Sequence, residues 1–133
     1  LQKGKYPQKE EHMENEQQFA RDIATTIQQQ LMVGHGKIRV MSWGQHALQA
    51  VTQKDLESLG ITNGLGGLKF KVKGHHHKGH VLVVLNGVDL YDVYICSIQK
   101  GEMIIKETEV DLYCDQIGYY IDEKVEKIKE YSF

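Results

Sequence analysis

From Leu68 to Lys106 the chain carries four short β-patterned runs with a turn signal after each of the first three. That spacing leaves few folds open, because runs this close together pair as neighbouring antiparallel strands. In the first run Leu68, Phe70 and Val72 alternate with Lys69, Lys71 and Lys73, the period of a strand with one wet face. Gly74 to Gly79 makes the first turn. His80 to Asn86 follows, apolar on both sides, as expected of a central strand. Asn86-Gly87 opens the second turn, Leu90 to Ile98 forms the third run, and Lys100-Gly101 turns it back into Met103 to Lys106. The expectation is a four-stranded β-meander over 68–107.

Helical periods flank the meander. Phe19, Ile23, Ile27 and Leu31 recur every four residues beside Ala20 and Ala24, predicting a helix over 14–33 that stops at Gly34 and Gly36. Tyr113, Ile117, Ile121, Val125 and Ile128 predict a C-terminal helix starting near Asp111, a residue suited to an N-cap. Between them, Lys37 to Trp43 alternates and reads as a half-buried strand, with Ile38 and Val40 on one side. Thr52 and Asp55 resemble a capping box, so Gln53 to Leu59 reads as a short helix. Gly60, Asn63, Gly64, Gly66 and Gly67 read as a flexible or sharply turned loop. The expected architecture is α+β. It is a two-layer domain with an about five-stranded, mainly antiparallel sheet and two long amphipathic helices, one N-terminal and one C-terminal, on one face. Residues 14–133 form this single domain. Residues 1–13, which begin at Leu1 and hold the only proline, read as a polar tail, either added in expression or left by processing.

At 133 residues and 41% hydrophobic content the chain is long enough for one core without staples. Its longest apolar run, Val81 to Leu85, is far too short to span a membrane. Two cysteines make no disulfide framework, which points to the cytoplasm. The net charge of −2 hides a segregation: residues 34–85 hold seven Lys/Arg against two Asp/Glu, and residues 86–133 hold five against eleven. Such asymmetry bears on partners rather than on fold.

The row Lys69, Lys71, Lys73, with His77 and Lys78 in the adjoining turn, is a candidate ridge for nucleic acid, since clustered cations bind phosphate backbones through counterion release. The commoner use of such a lysine row is to protect an edge strand from aggregation. His75, His77 and His80 are weak metal candidates, because neighbouring residues of an extended chain point apart and no cysteine or carboxylate lies close in sequence. Asp111, Asp115, Asp122, Glu123, Glu126 and Glu130 form a candidate acidic surface for a protein partner. Trp43 reads as a core anchor with a hydrogen-bonded indole. Cys96 and Cys114 read as core thiols. Asp89 reads as a turn residue. No nucleophile elbow, zinc-protease helix or phosphate loop is present, so no catalytic residue and no cofactor are expected.

Taken in order, Ser42-Trp43-Gly44, the Gly74-to-Val81 segment with its His77-Lys78-Gly79, Leu85-Asn86-Gly87-Val88-Asp89-Leu90-Tyr91-Asp92-Val93-Tyr94, and Tyr113-Cys114-Asp115 resemble a known group. It comprises small single-domain proteins of gut-bacterial phages, prophages and mobile elements. The resemblance spans roughly residues 19–128 and is weakest between Gly44 and Leu68. It implies origin more than activity: a non-enzymatic accessory protein that binds a host or phage protein, for example as an anti-defence inhibitor. The alternative is a nucleic-acid-binding accessory protein that uses the Lys/His-rich hairpin.

Overall fold

The computed structural model describes residues 9–34 and 36–126, with side chains from residue 14 onward. Helix α1 spans Lys9–Leu31, and α2 spans Gly36–Ser42. Strand β1 (His46–Thr52), helix α3 (Gln53–Ser58) and strand β2 (Gly64–Lys73) follow. Then come β3 (Lys78–Asn86), β4 (Tyr91–Gln99), β5 (Glu102–Leu112) and helix α4 (Ile117–Val125). The five strands form one antiparallel sheet in the order β1-β2-β3-β4-β5. The meander is as expected, and the fold is α+β.

The alternation in β2 sends Leu68, Phe70 and Val72 to one face. There they join Val81, Val83, Val93 and Ile95 from β3 and β4. Ile23, Ala24, Ile27 and Leu31 of α1, Val40 and Trp43, and Ile117, Ile121 and Val125 of α4 pack into the same cluster. A smaller cluster lies on the opposite face, where Leu56 and Ile61 meet Val51, Leu82 and Val84. Strand β3 therefore buries both its sides, which explains its unbroken apolar run.

Several expectations fail. Lys37 to Trp43 is not a strand. Gly36, Val40 and Trp43 recur at i, i+4 and i+7 and are buried, while Ile38 and Met41 are each 70% exposed, which is a helical stripe. The first strand is instead β1, an edge strand so exposed that it leaves no apolar alternation to read. Gly64 to Gly67 is not a loop but the start of β2. A Cβ on Gly67 would stand 2.3 Å from the Val83 carbonyl oxygen, and one on Gly66 would stand 2.9 Å from Ile23 Cδ1. These glycines serve close packing rather than flexibility.

The last helix does not begin at Asp111, which belongs to β5 in the left-handed region at φ 57°. Its N–H donates to Asp92 Oδ1 at 3.0 Å, which holds it in the sheet. Helix α4 is therefore nine residues long over its described extent, and Tyr113 is exposed. Ile128, expected on its stripe, lies outside the described residues. At the other end α1 reaches back to Lys9, into the segment read as tail. Phe19, placed on the apolar stripe of α1, is 53% exposed, and Ala20 takes the inward position. The short helix α3 is as expected: Thr52 Oγ1 accepts from the Asp55 N–H, and the Asp55 carboxylate accepts from the Thr52 N–H.

Candidate nucleic-acid interface

Strand β2 lies between β1 and β3, so Lys69 and Lys71 do not guard an edge, while Lys73 lies beyond the paired part of β1. They project from the face opposite the helix-covered core. Register fixes their neighbours there. Lys69 is level with Gln49 on β1 and with Leu82 and then Tyr94 on β3 and β4. Lys71 is level with His46 on β1 and with His80 and then Cys96. Lys73 is level with Lys78. Helix α3 covers the Val51–Leu82–Val84 part of this face and leaves the lysine part bare. None of Lys69, Lys71, Lys73 or Lys78 makes an ion pair among the described residues. Four cations on two neighbouring strands thus face water without compensating carboxylates.

His80 sits within this field. Burial, then the Lys69 and Lys71 ammoniums, then His77 and His46, hold its pKa below the ordinary histidine value. Its Nδ1 is buried without a partner, so this nitrogen is best left unprotonated and Nε2 carries the hydrogen. The unfolded chain protonates His80 at a higher pH than the fold does. The stability this group supports is therefore whole above ~pH 6.5 and declines as pH falls through that value toward the lowered one. A His80→Gln variant should lose less stability than the parent between ~pH 7.5 and ~pH 5.5 in urea titrations. Parallel pH curves for the two proteins would rule this out. Beside it, burial pushes the Cys96 thiol up to about 11, against the pull of Lys69, so Cys96 is a core thiol. Cys114, expected in the core, is exposed in the turn before α4.

The histidine turn is spent on structure. His75 donates its N–H to Glu126 Oε2 at 2.8 Å and sets Nδ1 3.0 Å from Oε1. The His76 N–H donates to the Val125 carbonyl at 2.8 Å, closing the end of α4. Gly74 allows the approach, since a Cβ there would lie 2.3 Å from the Val125 oxygen. His77 is buried against Gly79, with Nε2 3.4 Å from the His80 carbonyl, and does not stand on the lysine ridge. Among the described residues no three His, Cys, Asp or Glu side chains converge to hold a metal ion.

The acidic set is divided. Asp122 Oδ1 accepts from the Trp43 indole at 2.9 Å, so Trp43 is the hydrogen-bonded anchor expected of it. Glu126 holds His75, and Asp111 belongs to a polar network around Asn86. Asp115 and Glu123 are exposed. Glu130 lies outside the described residues.

The Asn86 network has no counterpart in the sequence reading, which took Asn86 only as a turn residue. The side chain is fully buried. Its Nδ2 donates to Asp92 Oδ1 and to Asp111 Oδ1, both at 2.9 Å. Its Oδ1 accepts from the N–H groups of Val88 and Leu90. The Asn-Gly pair signalled a turn, but the strand partner Asp111 lies 25 residues on and no local pattern could show it. Asp89 does take the left-handed turn position, at φ 65°.

No protein-family model matches the chain, and neither the curated proteins nor the solved structures include a significant match.

Proposed function

We propose that this chain is a non-enzymatic accessory protein of a phage or mobile element that binds nucleic acid through the bare face of its sheet. One observation carries the reading: Lys69, Lys71, Lys73 and Lys78 make no ion pair among the described residues, and Lys69 and Lys71 are flanked by paired strand on both sides, where edge protection gives no reason for them. Alternate residues on a strand repeat about every 6.7 Å, so β2 offers a regular rail of charge to a phosphate backbone. In this reading the domain is two-layered over most of its area. Helices α1, α2 and α4 sit on the far face, the lysine part of the near face stays free beside α3, and the protein works in the cytoplasm.

Binding to single- and double-stranded DNA and RNA should be measured at ~50 and ~200 mM salt. Four phosphate contacts on duplex DNA predict a loss of roughly a hundredfold across that range. A triple Lys69→Glu, Lys71→Glu, Lys73→Glu variant should bind none of them. Absence of binding by the parent protein at the lower salt would overturn the reading.

A second reading rests on a different observation. Ile98, Met103 and Ile105 form an apolar strip on β4 and β5 beside the lysines, with Ile98 50% exposed. That strip suits a host or phage protein, as an anti-defence inhibitor would require. Of the acidic set, Asp115 and Glu123 remain turned to solvent for such a contact. Capture of a defined partner that is lost in Ile98→Asp, with nucleic-acid binding absent, would favour it.

A further inference from the structure

On the lysine face a groove of about 440 Å³ opens between the β4–β5 pair and the segment that links α3 to β2. Ile61 and Val110 are among its apolar walls, Tyr94 contributes an aromatic ring, and Asn63, Asp92 and Asp111 supply acceptors. Asp92 is only 5% exposed. Its Oδ1 accepts from Asn86 Nδ2 and from the Asp111 N–H. Its Oδ2 has no partner among the described residues. A nearly buried carboxylate whose second oxygen opens onto a groove can accept from an N–H donor brought in from outside.

Charge then orients the ligand. Two carboxylates repel a phosphate from the groove, while the lysines two strands away attract it. Tyr94 is level with Lys69 across β3, so the strands that carry the aromatic ring and the ammonium row stand about 9.5 Å apart, two strand spacings. That separation is on the scale of one nucleotide from phosphate to base. A planar ligand with apolar faces, N–H donors at its edge and a phosphate at the far end is a nucleotide whose base carries an amino group. Carboxylates accept from such amino groups in known base contacts, and aromatic rings stack on bases.

We propose that this groove is a nucleobase pocket, filled by an amino-bearing base of a single strand whose phosphates lie along Lys69 and Lys71. The proposal rests on the nucleic-acid reading above and deepens it, because a base can enter the groove only when unpaired. Oligo-dC, oligo-dA and oligo-dT of equal length, and a duplex, should be compared by fluorescence anisotropy at low salt. Oligo-dC and oligo-dA are expected to bind about tenfold tighter than oligo-dT, whose base lacks an amino group. Asp111→Asn keeps the acceptor for Asn86 and suits the left-handed backbone there. It should shrink the preference for oligo-dC and oligo-dA over oligo-dT. Tyr94→Leu retains burial and should weaken all single strands relative to the duplex. The triple lysine variant should weaken every ligand alike.

Equal binding of oligo-dC, oligo-dT and duplex, or an unchanged preference in both groove variants, would overturn the pocket and leave the phosphate contact standing. No binding to any of these by the parent protein would overturn both.

Discussion

An Asn86→Asp substitution should cost about 4 kcal/mol of stability at pH 7, although it leaves the number of heavy atoms in the side chain unchanged. Asn86 is buried and spends both of its amide hydrogens on carboxylates, Asp92 and Asp111. The substitution removes both donors and sets a third carboxylate against the other two. Two acceptors lose their partner, and like charges meet in a water-poor site. The new carboxyl group titrates higher in the fold than in the unfolded chain. Its cost is therefore greatest above that raised value and shrinks as pH falls toward the unfolded value near ~3.9. Urea unfolding of both proteins at ~pH 7 and ~pH 4.5 should show the gap between them narrowing. A loss below about 1 kcal/mol at neutral pH would mean that the network is not the tie described.

Trp43→Ala should cost about 4 kcal/mol as well, by another route. The ring is fully buried and stacks on Phe70, with centroids 6.4 Å apart and planes 5° from parallel. Its removal leaves a cavity between α2, α4 and the sheet, and strips Asp122 of the indole donor. Trp43→Phe separates the two losses: it keeps most of the ring and loses the hydrogen bond, and should cost about 1–2 kcal/mol. Equal losses in the two variants, measured by circular dichroism in urea, would show that the hydrogen bond outweighs the packing.

Strands β3 and β4, and the parts of β2 over 68–73 and of β5 over 103–106, were legible because they are runs of alternating or apolar residues bounded by local turn signals. Thr52 and Asp55 likewise announced α3 through a contact three residues long. What escaped was whatever depends on distant partners. Seven residues around Val40 fit a strand and a helix equally well, and only packing against the α1–α4 layer decides between them. Strand β1 has no pattern because its exposed edge buries almost nothing. Asp111 looks like a helix cap in isolation and becomes a strand residue only because Asp92 claims its N–H. The lysine row was visible as a pattern, but its setting on an interior strand depended on the unseen β1. The groove beside Tyr94 depended on a loop read only as glycine-rich.

The clasp between the histidine turn and the end of α4 bears on the order in which the chain assembles. Each strand pairs only with its neighbour in sequence, so the sheet grows by short loop closures that cost little entropy. Helix α4 is tied to its neighbour β5 by Lys124 and Glu107 at 3.0 Å, but its other polar ties run to Trp43, 79 residues away, and to His75, 51 residues away. Those distant ties close only once the strands between them are in place, so the amides of α4 are expected to exchange before those of the central strands in native-state hydrogen exchange. The hairpin that carries the lysine ridge is thus braced at its turn by the last element to arrive, and loosening of that helix frees the tip of the ridge before the sheet itself gives way.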